Sequence, residues 1–209
     1  MQIKKTILTE SVTLEELRKF IREGRAAEVL TAGNQIYIDF DGAAVPYDVI
    51  GIDVDKPAAE ELKHTVTIQA HELIEKRPFD TKGRYGSNDW ETSELREYLN
   101  SKTYAARCAE LAKYAIPITK MNTNGRETVD TFFLLSVDEY NAKNTPYEYY
   151  KDKPYRAAKH AKDDFNDWHR TRSANRGTSS YAWYVNSSGS VSDGGANGSM
   201  RCAPACAIG

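Results

Sequence analysis

The chain has 209 residues, 40% of them hydrophobic, three cysteines and a formal net charge of -2. That is enough apolar material for one large core or two small ones, and a near-neutral charge gives no electrostatic case for nucleic acid or an anionic membrane as partner. No apolar run approaches the roughly 20 residues that span a bilayer, and "MQIKKTILTESVT" lacks the apolar stretch of a signal peptide, so a soluble protein of the cytoplasm or of a virion is expected.

In "SVTLEELRKFIREGR", Thr13 and Glu16 have capping-box spacing, Leu14, Leu17, Phe20 and Ile21 recur at helical intervals, and Gly24 is a natural stop. Ile36, Ile38 and Phe40 alternate with Tyr37 and Asp39 ahead of an Asp41-Gly42 turn signal, which predicts a hairpin in "QIYIDFDGAAVPYDVIGIDVD". "HTVTIQAHEL" predicts a third strand, with Val66, Ile68 and Ala70 on one side. Thr92 or Ser93 caps a helix whose stripe is Leu95, Tyr98 and Leu99, and a second short helix runs through Ala109 and Leu111. "IPITKM" and "DTFFLLSVDEY" predict strands on either side of a loop with Asn124-Gly125. Residues 141–167 lack periodicity and read as irregular, with a short helix near Tyr155 to Ala161. Beyond them, "AWYVN", a Ser-Gly turn, "SVS", a Gly-rich loop and "CAPACAI" predict short strands in a loop-rich half. Strands at both ends with helices between make an α+β domain.

Few motifs carry chemistry. His64, His71, His160 and His169 have no metal-helix spacing and read as surface or packing histidines. Asp163, Asp164, Asn166 and Asp167 lack the glycine and distal glutamate of a calcium loop. Nucleophile elbows, phosphate loops and dinucleotide fingerprints are absent. Cys202 and Cys206, if on one extended strand, lie roughly 13 Å apart, beyond the ~7 Å a disulfide tolerates. They read as free buried thiols on one strand face. No catalytic residue, metal site or cofactor is therefore expected. Arg170, Arg172 and Arg176 lie at even-numbered intervals and would share a strand face. Structural pairing with Asp163 or Asp167 is favoured for Arg172; for Arg176 pairing and anion binding both stay open.

From Asp163 to the C-terminus there is no Lys, Glu or Gln, although all three are common upstream. The segment is rich in Ser, Gly, Asn and Asp, yet Trp183, Tyr184, Val185, Val191 and Ile208 are spaced through it as a disordered linker would not need.

"NDWETSELREYLN", "TFFLLSVDEY", "WHRTRS", "AWYVNSSGSV" and "RCAPACAI" occur in that order. Together they resemble an uncharacterised domain family of gut bacteria and their phages. Its pattern is a Trp–Ser–x–x–Arg–x–Trp–Leu–Asn helix, a Phe–Leu–Leu–Ser strand, a Trp–x–x–Arg–Ser segment, a Val–Asn–x–x–Gly turn and an Arg–Pro–Ala–x–x–Ile finish. Here Tyr98 replaces the helix Trp, and Cys202-Ala203 intervene before Pro204. The resemblance runs from about Val29 to Ile208. It implies a C-type lectin-like fold of the formylglycine-generating-enzyme-like branch over 29–209, with 1–28 as a helical segment packed on that domain. That branch includes the variable proteins of diversity-generating retroelements, in which template adenines are miscopied into the 3' end of a target gene. Asn codons changed at adenine yield Ser, Gly, Asp, Thr or Tyr, but never Lys, Glu or Gln, which matches the tail.

The resemblance thus implies a ligand-binding protein, not an enzyme, with a variable region at about 168–201. Its candidate contact residues are His169, Asn175, Arg176, Thr178, Ser179, Tyr181, Tyr184, Asp193, Asn197 and Ser199. The tyrosines would supply rigid contact area and the small polar residues adaptable hydrogen bonds. The expected partner is a protein or a cell-surface glycan. Alternatives are a phage structural or adhesion domain without diversification, and an enzyme of the formylglycine-generating type using Cys202 and Cys206. A calcium-dependent sugar lectin is disfavoured because the Glu-Pro-Asn type of sugar motif is absent.

Overall fold

The computed structural model describes residues 13–151 and 167–209. The helix expected near 155–161, His160 and the carboxylates Asp163 and Asp164 lie outside the described residues, as does Asn166.

The N-terminal helix α1 (Leu14–Arg22) starts where the sequence signals it. Thr13 Oγ1 accepts from Glu16 N and the Glu16 side chain accepts from Thr13 N, closing a capping box. A short helix α2 (Ala26–Val29) follows. The strands β1 (Gln35–Phe40) and β2 (Ala43–Ile52) form the expected hairpin. Asp41 and Gly42 turn it with φ of 53° and 80°, the left-handed pair that matches strand twist in a two-residue loop. Strand β3 (Val66–Ala70) pairs with β2, and β4 (Glu75–Pro78) leads to a 3-10 turn at Trp90–Thr92. Helices α3 (Glu94–Leu99), α4 (Lys102–Arg107) and α5 (Ala109–Ala112) come next, α3 capped by Ser93. The strands β5 (Ala115–Ile116), β6 (Ile118–Met121), β7 (Glu127–Asp130) and β8 (Phe132–Phe133) are short. Two helical turns, α6 (Val137–Tyr140) and α7 (Glu148–Lys151), precede the C-terminal strands. These are β9 (His169–Ala174), β10 (Tyr181–Val185), β11 (Val191–Gly195), β12 (Ser199–Cys202) and β13 (Ala205–Ile208).

Two sheets carry the architecture, which is α+β: the first is antiparallel throughout, and the second is mixed through the parallel β9–β12 pair. The first runs β1-β2-β3-β13-β5, with β8 also on β13, so the C-terminal strand is an interior strand of that sheet. All four residues of β13 are buried, which explains its unbroken small-apolar sequence. The second sheet runs β11-β10-β9-β12-β4, and β6 and β7 form a separate hairpin. One apolar core joins them, and Leu14, Leu17 and Ile21 of α1 belong to it.

Several expectations need correction. "DTFFLLSVDEY" is not one strand: only Phe132–Phe133 pairs in a sheet, and Ser136 with Glu139 closes a capping box that starts α6. Arg176 lies beyond the end of β9 and so shares no strand face with Arg170 and Arg172. "IPITKM" is not one strand: Pro117, which has no N–H to donate, separates β5 in the first sheet from β6 in the hairpin. Cys202 and Cys206 do not share a strand either, since Ala203-Pro204 breaks β12 from β13 and the two strands enter different sheets. Both thiols are free and buried, as is Cys108. Burial raises the thiols of Cys202 and Cys206 and pushes Cys108 up to about 11, which keeps all three protonated and weakly nucleophilic.

A buried charge cluster ties the sheets together. Lys120 on β6 contacts Asp55 and Glu139, and Arg172 on β9 contacts Glu139 with both terminal nitrogens, Nη2 to Oε1 at 3.1 Å. Arg172 also donates to the carbonyls of Leu134 and Met121. Arg172 is thus paired structurally, as expected, but its partner is Glu139 of α6; Asp167 pairs with Arg201 instead.

Candidate functional site

The alternation of β10 and its register set what lies where at one end of the second sheet. Tyr181 pairs with Gly195, and Ala196 N donates to Ser180 O at 2.7 Å. The loop after β9 (175–180) and the loop after β11 (196–198) therefore meet at the same end. The 186–190 turn lies at the other, beyond the Val185–Val191 pair.

Each loop is held by one side chain acting on main-chain carbonyls. Asn88 is buried, and its Nδ2 donates to the carbonyls of Asn175 at 2.8 Å, Thr178 at 3.0 Å and Tyr181 at 2.7 Å. Its own N–H donates to Ser179 O. Arg170 is 1% exposed, and among the described residues its guanidinium meets carbonyls rather than a carboxylate. Its Nη1 donates to Ala182 O at 3.1 Å, and its Nη2 to Gly195 O and Gly198 O, both at 3.1 Å. Burial pulls the Arg170 guanidinium down to about 10, which still leaves it charged at neutral pH. Because the clamps grip backbone, their hold does not depend on which side chains the exposed loop positions carry, although the Asn175 side chain also shapes the first loop.

The ten candidate contact residues divide accordingly. Arg176, Thr178, Ser179, Tyr181, Asn197 and Ser199 are exposed around this end of the sheet. Asn175 and Asp193 are half-buried and build the loop. Asn175 Nδ2 donates to Asp193 Oδ2 at 2.7 Å, and its Oδ1 accepts from Gly177 N and Thr178 N. His169 and Tyr184 do not belong to the exposed set. His169 is 1% exposed and meets the Tyr140 ring edge-on, with ring centroids 5.5 Å apart. Its Nδ1 has no hydrogen-bond partner among the described residues, and burial pulls the imidazole down to about 4. Tyr184 is 8% exposed because Trp168 stacks over it at 5.1 Å and 11°. Trp168 is itself 46% exposed, so the accessible aromatic at that position is Trp168, which sequence reasoning did not single out.

Beside the first loop lies a cleft of ≈190 Å³, walled by Asn88, Trp90, Asn122, Thr123, Arg126 and Arg172 among others. Arg176 reaches its rim, with Nη2 donating to Thr123 O at 3.2 Å, and Arg126 pairs with Asp89 and Glu91. Arg176 thus stands at the edge of a concave surface with both polar and apolar walls. Asn88 and Arg170 had no sequence signal as clamps: an Asn in "SNDW" and an Arg in "HRTRS" reveal their partners only when remote carbonyls arrive.

No group of three or more His, Cys, Asp or Glu among the described residues is arranged to hold a metal ion. No helix among them is long and apolar enough to cross a membrane. Residues 63–209 match the family described as Domain of unknown function (DUF6273). No curated protein and no solved structure matches the chain.

Proposed function

We propose, for a chain that belongs to the DUF6273 family, that it is a ligand-binding protein whose contact surface is the clamped pair of loops at 175–180 and 196–198. The observation that carries this reading is the main-chain clamping by Asn88 and Arg170. A loop held through its carbonyls keeps its shape while its side chains change, which is what a surface selected for new partners needs. Arg176, Thr178, Ser179, Tyr181, Asn197 and Ser199 are the side chains left free to vary. The tail composition fits adenine-directed diversification of that surface on a C-type lectin-like scaffold, and the partner is a protein or a cell-surface glycan. Binding needs no metal in this reading.

The test is an Arg176→Ala, Tyr181→Ala double variant. Tyr181 is 43% exposed and Arg176 holds only a carbonyl at the cleft rim, so unfolding free energy should move by less than about 1 kcal/mol. Capture of partners from a host-cell surface extract should be lost. An unfolded double variant would make these residues structural and remove the reading.

A further inference from the structure

Lys120, Asp55 and Glu139 form a cluster whose chemistry the binding surface does not use. The side chains of Lys120 and Asp55 are each 5% exposed, and that of Glu139 is 11% exposed. Lys120 Nζ contacts Asp55 Oδ1 directly. It also donates to Glu139 Oε1 at 2.9 Å and to Tyr147 Oη at 2.6 Å. Tyr147 Oη in turn donates to Asp55 Oδ2 at 2.9 Å, and Thr67 Oγ1 donates to the same oxygen. The Phe133 ring lies 4.4 Å from Nζ and the Tyr147 ring 5.1 Å, so aromatic walls flank the cluster.

This arrangement contains every part of an amide-forming site. It has an amine in contact with a carboxyl group, a second carboxylate on the same amine, two hydroxyl donors on the carboxyl oxygen, and almost no exposure to water. We propose that Lys120 and Asp55 condense to an intramolecular isopeptide bond in the folded protein. Glu139 acts as the proton shuttle.

In this step Glu139 takes one proton from the Lys120 ammonium and frees the nitrogen lone pair. Nζ attacks Cγ of Asp55, and the negative charge that develops on the carboxyl oxygen is met by the Thr67 and Tyr147 hydroxyls. The Cγ–O bond then breaks. The departing oxygen takes the proton held by Glu139 and a second from Nζ, and leaves as water. An ammonium and a carboxylate become one neutral amide and one water, with no oxidant or cofactor consumed. Arg172 keeps Glu139 ionised: burial alone would raise its carboxyl, but the Arg172 and Lys120 charges hold it well below the usual carboxylate range. Removing two charges from a buried site is the driving force, since each is costly to keep out of water. The aromatic walls then protect the amide from hydrolysis.

The link would tie β6 to the segment after β2 across 65 residues. This inference is independent of the binding reading, and its test does not involve a partner. The intact mass of the full chain, measured under denaturing conditions, should fall short of the sequence mass by one water. Proteolysis should yield a branched peptide joining Lys120 to Asp55. Lys120→Arg, which keeps the charge but cannot form the amide, should show its full mass and run more slowly on a denaturing gel. Glu139→Gln should show full mass or markedly slowed water loss. A wild-type chain of full mass, with Lys120 and Asp55 recovered unmodified in separate peptides, overturns the proposal whether or not either variant folds.

Discussion

Replacing Arg170 by Met should cost about 3 kcal/mol of unfolding free energy, in the range expected when a buried charged hydrogen-bonding group is removed. The methionine keeps most of the apolar stem, so the loss reports the guanidinium. Without it, the carbonyls of Ala182, Gly195 and Gly198 lose their shared donor in a buried setting. Amide hydrogen exchange locates the damage. Residues 195–199 should lose protection first, while the β2-β3-β13 centre of the first sheet stays protected up to global unfolding. Asn88→Ala should do the same to the 175–181 loop. A methionine variant with unchanged stability and unchanged exchange would show that the loops hold themselves, and the clamping account would fail.

The second large effect is acid destabilisation. His169 is neutral and buried, with its pKa drawn from the ordinary 6.5 to about 4 by burial. A depressed histidine contributes stability that is complete above 6.5 and is lost as pH falls toward 4, because the unfolded chain takes up a proton that the native chain refuses. Between pH 7 and 4.5 that is roughly 2 to 3 kcal/mol at about 1.4 kcal/mol per pH unit. Glu139 adds to it at lower pH. Its depressed carboxyl contributes stability that is complete above the unfolded value and lost below about 4.3. Urea titrations at pH 7 and 4.5 measure the first part. His169→Phe, which keeps an aromatic ring against Tyr140, should flatten the slope between these pH values. Glu139→Ala should cost about 3 to 5 kcal/mol near neutral pH, since it strands the buried Arg172 charge, and less as the pH falls below about 4. A wild-type protein equally stable at both pH values would contradict the burial of a neutral His169.

The sequence makes local structure legible and long-range function almost invisible here. Helix α1 announces itself through Thr13, Glu16 and a four-residue apolar stripe, all within one segment. The β1–β2 hairpin does so through the alternation of Ile36, Ile38 and Phe40 ahead of Asp41-Gly42. The end of the sheet that gathers the exposed residues was half legible: the tail composition pointed to the right stretch but not to its inward side. His169 and Tyr184 read as surface residues because nothing nearby in sequence predicts that Tyr140 and Trp168 will cover them. The same limit hides the clamps, since Asn88 meets carbonyls 87 to 93 residues away. Arg172 was legible as structural, but its partner Glu139 lies 33 residues distant on another element. Strands of two residues such as β5 and β8 carry no period at all; they exist because β13 offers them edges.

If the clamped loops exist to let their side chains vary, the surroundings of the source gene carry the record. The few kilobases around the gene should be sequenced for a near-copy of its 3' end beside a reverse transcriptase gene. A copy that differs almost only at template adenines is expected. The changed codons should fall on exposed positions such as Arg176, Thr178, Ser179, Tyr181, Asn197 and Ser199. Those of Arg170, Ala182 and Cys202, all buried, should be unchanged. The absence of any such copy, or differences spread equally over buried codons, would contradict diversification of this surface.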